Sequence, residues 1–496
     1  MADFEVPELK EYPVIPLIKE GSMAHSKPYV AKPGVQKGIG YPEELLDNWQ
    51  EVAINKMGEL VKGSRALQVF LDTCVKCGAC TDKCHYFLGT SDPKNMPVAR
   101  QDLFRAVYRR YFTFAGKFFP KLVGAIDLTK EVLDQWYSYF HQCSQCRRCS
   151  VFCPYGIDTA EISMAAREIL DSVGVGQKYC NEILGKVHII GNNLGLPKPA
   201  LVDTMEGLEE DIKDETGLDV RVPVDQKGAD VLLITPSADF FAEPHIDGLI
   251  GYAKVFHQAG ISWTVSSYAS EAANFSMFIG SNDNLKKAAM RIRDAAYDLG
   301  VKRIVVGECG HAWRVAYSFW NTLIGPMDFL DKQYPMPSHI VEVTHDLIKR
   351  GALKINKEAN DHRRITFHDS CNVARGSRMG NIQGGQFILP REVIKACANN
   401  FFDMAPETIH ENTFCCGGGG GLLTDDLMEL RVKGASPRMQ ALKQVVDEHD
   451  VNTFIAICAI CKTQFAKTLP YYKFDMDMIT SLHQVVGDSL ELGTND

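Results

Sequence analysis

Eight cysteines between residues 74 and 153 carry the strongest chemical signal in the sequence. They form two runs of identical spacing, Cys74-x2-Cys77-x2-Cys80-x3-Cys84 and Cys143-x2-Cys146-x2-Cys149-x3-Cys153-Pro154. Three cysteines so spaced wrap one corner of an iron–sulfur cube, each thiolate taking one iron. The fourth cannot bend back to the same cube and ligates the other cluster of the pair. The reading is two [4Fe–4S] cubane clusters, one on Cys74, Cys77, Cys80 and Cys153, the other on Cys143, Cys146, Cys149 and Cys84. Zinc is a poor fit, because zinc sites use two CxxC pairs or cysteine with histidine. One departure stands out: His85, not proline, follows Cys84. It is expected to alter the hydrogen bonding of one cluster without removing a ligand. Arg147 and Arg148, inside the second run, are placed to tune its potential or to dock a partner.

A second constellation is Cys371, the vicinal pair Cys415-Cys416 and Cys458-x2-Cys461. Side chains of vicinal cysteines diverge and do not easily take two corners of a regular cube. The pair opens into Gly417–Gly421. Such a run lets the backbone come close to a bulky inorganic group and adopt positive φ. Its N–H groups, beginning with Gly417 and Gly418, are free to donate to sulfur. His311 and His368 sit beside site cysteines and are candidate proton donors to a leaving thiolate, with a satisfied structural histidine as the alternative. Lys462, next to Cys461, either stabilises thiolate charge or faces solvent. Cys180 and Cys397 have no companions and read as packing residues.

The elements that must position these residues change character along the chain. Residues 1 to about 40 are rich in Pro, Gly and Lys and read as an extended arm or a disordered tail. Helical periodicity covers Pro42 to Leu71, Ala99–Tyr111, Lys130–Phe140 and Asp158–Val173. Between them lies an aromatic stretch, Tyr108 to Phe119, expected either to dock a partner or to pack around the clusters. The second half alternates strands and helices. Strand patterns at Val231–Thr235, Arg303–Val306, Ile365–His368 and Thr453–Ile457 are separated by helical stretches near 244–259, 284–299, 390–402 and 427–449. That alternation implies parallel α/β layers. The segments 301–309 and 451–458 match, each a strand delivering a cysteine, Cys309 or Cys458, at its end. Ligands in open α/β folds usually sit at that end. The match suggests a degenerate duplication. Where the second copy has Cys371, the first has Ser237 or a neighbour. Where the second has Cys415-Cys416, the first has Phe275–Gly280.

The chain has 496 residues and 16 cysteines, and its formal charge of -9 argues against a nucleic-acid surface. No apolar run approaches the ~18 residues of a membrane span. The first residues lack the basic and apolar regions of a signal peptide, so a cytoplasmic chain with reduced, metal-bound cysteines is expected.

The pattern Cys371…Cys415-Cys416-Gly417…Cys458-x2-Cys461 resembles the CCG (cysteine-rich) domain of heterodisulfide reductase catalytic subunits. Related domains occur in iron–sulfur subunits of glycolate, lactate and anaerobic glycerol-3-phosphate oxidoreductases. The resemblance, with the ferredoxin pair ahead of it, covers nearly the whole chain beyond residue 70. Gly307-Glu308-Cys309-Gly310-His311, His368-Asp369-Ser370-Cys371 and the Pro-rich arm look most like the DsrK branch of the family, which serves the membrane complex associated with dissimilatory sulfite reductase. The resemblance implies a non-cubane [4Fe–4S] cluster on Cys371, Cys415, Cys416, Cys458 and Cys461 as the site of disulfide chemistry, with Cys309 either an extra thiol near it or a buried relic. It also implies a haem-b membrane subunit (DsrM-like) and other complex subunits as partners, a small DsrC-like protein carrying the disulfide or trisulfide, and peripheral attachment to the inner membrane.

The expected fold is thus α+β to α/β: an N-terminal arm and first helix over 1–60, a helical ferredoxin-type domain with two [4Fe–4S] clusters over 61–175, and a linker over 176–228. A degenerate first CCG-like repeat over 229–345 and a second CCG repeat over 346–490 complete it. The expected activity is thiol–disulfide oxidoreduction. Two alternatives stay open: a relay subunit of a flavin-linked hydroxy-acid oxidoreductase, and a non-catalytic electron wire.

Overall fold

A computed structural model describes residues 34–270, 274–424 and 427–492, so most of the N-terminal arm lies outside the described residues. The chain divides into two compact units, neither of them continuous in sequence. Unit 1 comprises residues up to Gly185 together with Phe275–Asn284 and Phe414–Met439. Unit 2 comprises Lys186–Asn274, Leu285–Thr413 and Gln440–Asp496. The two internal segments taken into unit 1 contain Phe275–Gly280 and Cys415-Cys416, the stretches that the sequence pattern suggests as counterparts.

Unit 1 is helical. Helices Trp49–Gly63, Arg65–Thr73, Pro97–Phe112, Lys130–His141 and Thr159–Ser172 enclose one apolar core. The periodic stretch from Pro42 to Leu71 is thus two helices, split where the Ser64 side chain accepts from the Leu67 N–H and caps the second. Thr129 and Asp158 cap their helices in the same way. At the centre of the core, Phe104 stacks on Trp136 at 5.0 Å between centroids, and Phe140 meets both rings edge-on. The aromatic stretch divides. Tyr108 is buried, whereas Phe114, Phe118, Phe119 and Leu122 are 75%, 64%, 58% and 85% exposed and so do not pack around the clusters.

Unit 2 holds two parallel sheets. One has the order β2-β1-β3-β4, from β1 (Val231–Ile234), β2 (Trp263–Thr264), β3 (Arg303–Val306) and β4 (Ser338–His339). The other has the order β5-β6-β7, from β5 (Ile365–His368), β6 (Thr453–Ala456) and β7 (Ile479–Thr480). All pairings are parallel. Helices cover parallel strands on both faces, which is why β1 reads as the unbroken apolar run Val-Leu-Leu-Ile. The helical stretches expected between the strands appear as His245–Gln258, Asn282–Leu299, Gly385–Cys397 and Met428–His449. The stretch read as a linker carries two helices, Lys178–Ile190 and Lys198–Thr216, and the acidic run is the polar face of the second. Its buried face, Leu201, Met205, Leu208 and Ile212, recurs at helical spacing.

Candidate iron–sulfur and thiol site

In unit 1 the two cysteine runs adopt matching backbones. Lys76 and Gln145 occupy the same place in their runs, with φ 57° in both. Gly78 and Arg147 are likewise equivalent, at φ 77° and 60°. Three non-glycine residues in the left-handed region, at matched positions, mark strain held for a purpose. The alternation turns successive N–H groups toward the thiols; the Gln145 N–H, for instance, donates to Cys143 Sγ at 3.4 Å. Cys74, Cys77, Cys80 and Cys153 line one small cavity, which Cys149 also reaches. Cys84, Cys143, Cys146 and Cys149 line another, beside His85, Tyr86 and Arg100. Cys149 borders both cavities; apart from it, the first holds three cysteines of its own run with the last of the other, and the second holds Cys143 and Cys146 with Cys84.

The surrounding charges suit an anionic group. Arg100 is fully buried, and its hydrogen bonds go to Tyr139 O, Asn95 O and Oδ1, Gln142 O and, at 4.0 Å, Cys84 Sγ. A buried guanidinium whose partners are carbonyls and a thiol needs a negative group beside it, which four thiolates on iron would provide. Without iron, burial pushes the Cys80 thiol up to about 11 and raises Cys149 further, the latter also by repulsion from Cys143 and Cys84. Metal is what lets such thiols ionise together. Among the described residues, no three or more His, Cys, Asp or Glu side chains close on one point in the manner of a single metal ion. A four-iron cluster takes each thiolate on a different iron, so its ligands stand around a cage. The residues present fit cubane clusters.

The Cys415-Cys416 segment is fastened to the second of these cavities. Gly417 N donates to Cys415 Sγ at 3.4 Å, and Gly418 N to Cys416 Sγ at 3.5 Å. Tyr86 OH donates to Gly417 O at 2.7 Å. His85 bridges Ser144 Oγ and Gly434 O, each at 2.8 Å. That explains the departure from proline: the residue after Cys84 staples the second cysteine run to the helix following the glycines. Arg167, wholly buried, donates to both Cys143 O and Gly420 O, at 2.6 and 2.8 Å. The glycines answer this crowding. A Cβ on Gly420 would lie 2.6 Å from Cys143 O, and one on Gly421 2.5 Å from Cys180 Sγ. The close approach their smallness permits is therefore to the protein around Cys143. Arg148 lies over the Phe414 ring at 3.9 Å, and Arg147 pairs with Asp158.

Unit 2 gathers the remaining candidates at its strand ends. β3 and β6 are followed by Cys309 and Cys458, each the N-cap of the next helix, and β5 leads to Cys371 at the start of helix Cys371–Gly376. Cys309, Cys371, Cys458 and Cys461 are all buried. Cys309 and Cys461 hydrogen-bond Cys458, and His311 Nδ1 lies 3.5 Å from its sulfur. Burial opposes ionisation of Cys458, but these three neighbours outweigh it and hold the thiol well below its ordinary range. Asp369 forms a two-pronged pair with Arg391, both contacts at 2.8 Å, which fixes the turn into Cys371. His368 packs against Phe454 and Phe465. Lys462 is buried, not solvated. It meets Glu308 at 3.3 Å and donates to Ser481 Oγ, while His483 meets the other Glu308 oxygen at 2.7 Å. Burial would raise the Glu308 carboxyl, yet Lys462 and His483 hold it down to about 2.

The five-cysteine set is thus divided, with Cys415 and Cys416 in unit 1 and Cys371, Cys458 and Cys461 in unit 2. Arg100, Arg167, Tyr86 and Glu308 escape a reading of the sequence. Only the Cys84-His85 departure signals that this stretch has an added structural duty.

The 4Fe-4S dicluster domain family matches residues 70–157. The chain is 42% identical over 480 residues to the Hdr-like menaquinol oxidoreductase iron-sulfur subunit of Archaeoglobus profundus, covering 90% of this chain and 84% of that protein. It is 41% identical over 477 residues to the Hdr-like menaquinol oxidoreductase iron-sulfur subunit 2 of Archaeoglobus fulgidus, again covering 90% and 84%. A dihydromethanophenazine:CoB–CoM heterodisulfide reductase component of Methanosarcina acetivorans is 24% identical over 449 residues, 87% of this chain and 98% of that protein. No solved structure matches. By its dicluster domain and by relatives that match it over nine-tenths of its length, the chain belongs to the heterodisulfide-reductase-like family of oxidoreductase iron–sulfur subunits.

Proposed function

We propose that the chain is the catalytic iron–sulfur subunit of a thiol–disulfide oxidoreductase. Two cubane clusters would be held by the cysteine runs and a third, non-cubane cluster by Cys371, Cys415, Cys416, Cys458 and Cys461, and together they would supply electron transfer from a quinol-class donor. In the reducing direction one S–S bond breaks, two electrons and two protons are taken up, and two thiols form. When bound, the third cluster supplies one-electron equivalents and iron that takes sulfur. The chain's own residues supply position and charge. His311 and the neighbouring thiols hold Cys458 toward its thiolate form. The Arg391–Asp369 pair fixes the approach to Cys371.

The observation that carries this reading is the placement of Tyr86. It is buried, lines the cavity of Cys84, Cys143, Cys146 and Cys149, and donates its OH to Gly417 O at 2.7 Å, one residue beyond Cys416. A redox-inert docking module has no use for that junction. The second cubane cluster, not the first, is then the immediate exchange partner of the third.

On the finer points, the motif resemblance supports a DsrK-like subunit, with a DsrM-like haem-b membrane subunit as electron partner and a DsrC-like small protein as carrier of the disulfide. Among the described residues no helix is long and apolar enough to cross a membrane. Attachment through a membrane subunit is proposed, with the exposed Phe114, Phe118, Phe119 and Leu122 as the docking face.

The test is Cys415→Ser in the full chain, assembled without oxygen. Disulfide turnover is expected to vanish, and the thiol-responsive paramagnetic signal of the oxidised protein with it, while the reduced cubane signals persist. Iron should fall from about twelve per chain toward about eight. Undiminished turnover would return the chain to the role of a wire.

A further inference from the structure

The two cysteine cavities of unit 1 differ in how they meet the surface. Around the first, Val75, Cys77, Ala79, Pro154 and Tyr155 are exposed, and among the described residues that line it none is charged. Around the second, no lining residue among those described is exposed. The stretch that follows Cys416 packs against that second cavity, held by His85 to Gly434 O and by Tyr86 to Gly417 O. Electron exchange between proteins requires the two redox groups to come close, so a partner reaches the site with an open rim and not the enclosed one. An uncharged rim holding a tyrosine also has the composition of an interface centre, where charges are depleted and aromatic residues enriched.

Lys76 extends this rim. It lies between Cys74 and Cys77 and also lines a groove of about 510 Å³ that runs to the hairpin of helices Phe114–Phe118 and Pro120–Val123. Leu71, Leu122 and Val123 give the groove an apolar wall, and Lys76, Arg109 and Asp72 are its charged residues. The hairpin is pinned to helix Pro97–Phe112: Arg109 donates to Val123 O at 3.0 Å, and the Ile126 N–H to Ala106 O at 3.2 Å. Its exposed Phe114 and Phe118 rings lie in contact, 4.8 Å between centroids. From Phe112 to Ile126 the chain carries Lys117 and Lys121, both exposed, and no acid. With Lys76 and Arg109 these outnumber Asp72 and Asp102, the latter 2.7 Å from Lys76, while Arg110 is paired with Asp127. The face is thus locally basic on a chain of formal charge -9.

We propose that electrons enter the chain at the first cysteine site, from a one-electron carrier protein seated on the rim of Val75 and Tyr155 and in the groove beside it, with a docking face apolar at its centre and acidic at its edge. This rests on the proposed electron flow and adds to it the port and the chemistry of the partner's surface. Each event moves one electron: the carrier loses it, the cluster of the first site gains it, and no covalent bond or proton changes place. The hairpin and the first site then belong to one interface, and the enclosed second site receives its electrons from the first.

The experiment is stopped-flow reduction of the assembled full chain, with no disulfide present, by menaquinol-reduced membranes of the producing organism washed free of the chain. Wild type is expected to be reduced, and more slowly as salt is added, because opposite charges steer the encounter. Val75→Glu combined with Tyr155→Glu places two carboxylates on the rim and is expected to slow reduction about tenfold or more. Leu122→Glu, outside both cysteine runs, is expected to slow it in the same way and serves if the double variant does not keep its iron. Tyr297→Glu, at an exposed side chain of unit 2, should match wild type. All are compared at wild-type iron content, with dithionite, which needs no docking face, as a second donor. A slowing seen with membranes and absent with dithionite supports the port. Wild type that the membranes do not reduce, rim and groove variants reduced at the wild-type rate, an equal slowing with dithionite, or a rate that rises with salt overturns it. Because no disulfide is present, these outcomes are read separately from the loss or survival of disulfide turnover in Cys415→Ser.

Discussion

Gly420→Ala tests whether the vicinal-cysteine segment and the second cubane site are one mechanical object. Gly420 has φ 69°, and an added Cβ would meet Cys143 O at 2.6 Å and the Ser144 backbone at 3.0 Å. Forcing an L-residue into the left-handed region costs about 1–2 kcal/mol, and overpacking a tight site a further ~1–3 kcal/mol. The obstacle is backbone, and Arg167 clamps the two carbonyls that would have to part. Relief must therefore come from moving Cys143, a proposed ligand. The control is Gly217→Ala, at φ 73° with nothing within 4 Å of the added carbon, which bears only the backbone term. Both variants are unfolded anaerobically in denaturant, and the reduced cubane signals are recorded by EPR. Gly420→Ala should be less stable than Gly217→Ala by about 1–3 kcal/mol and should broaden or lose one cubane signal while sparing the other. Equal stability of the two variants, with both signals intact, would refute the reasoning.

Arg100→Met removes the buried positive charge beside Cys84 and should lower the reduction potential of the second cubane cluster, because the reduced form carries the extra electron; redox titration showing a rise would contradict this. Asp171, buried against Asn181, has its carboxyl pushed up by burial from 3.8 to about 8. The folded chain keeps this proton where the unfolded chain has lost it, so the stability it contributes is complete below pH 3.8 and declines as pH rises toward 8. Asp171→Asn should flatten that decline, measured as denaturation midpoints across the range; an unchanged slope would count against it. Replacing Phe114, Phe118 and Leu122 together by Ser should leave iron content unchanged and abolish co-sedimentation with membranes holding the partner subunit, since all three side chains are exposed. Retained co-sedimentation would place the docking face elsewhere.

Chemistry is more legible in the sequence than architecture. Spacing alone points to eight ligands, because a cube fixes how far a chain can run between its corners. Strand positions are readable because buried parallel strands are continuous apolar runs, as β1 and β3 are. The helices of 176–228 are hidden by the acidic run: four buried positions in Lys198–Thr216 carry the packing, and the charges only decorate the outer face. No sequence pattern picks out Arg100 or Arg167, because burial of a cation depends on groups far away in the chain, which no local pattern encodes. The glycine run reads as a place of close approach, but what Gly420 and Gly421 approach is the Cys143 backbone and Cys180.

The discontinuity of unit 1 governs when it can be finished during synthesis. A ribosome making this chain releases the eight cysteines of residues 74–153 early, but Phe275–Asn284 and Phe414–Met439 belong to the same unit and emerge far later. Arg167, Gln145 and Tyr86 wait for the carbonyls of Phe278, Gly420 and Gly417 until then. Contacts so distant in sequence form slowly, and N-terminal segments otherwise tend to fold first as they leave the ribosome. A chain truncated before residue 414 therefore lacks part of unit 1, including the carbonyls of Gly417 and Gly420 that Tyr86 and Arg167 bond, so unit 1 is completed only when translation has run nearly to its end.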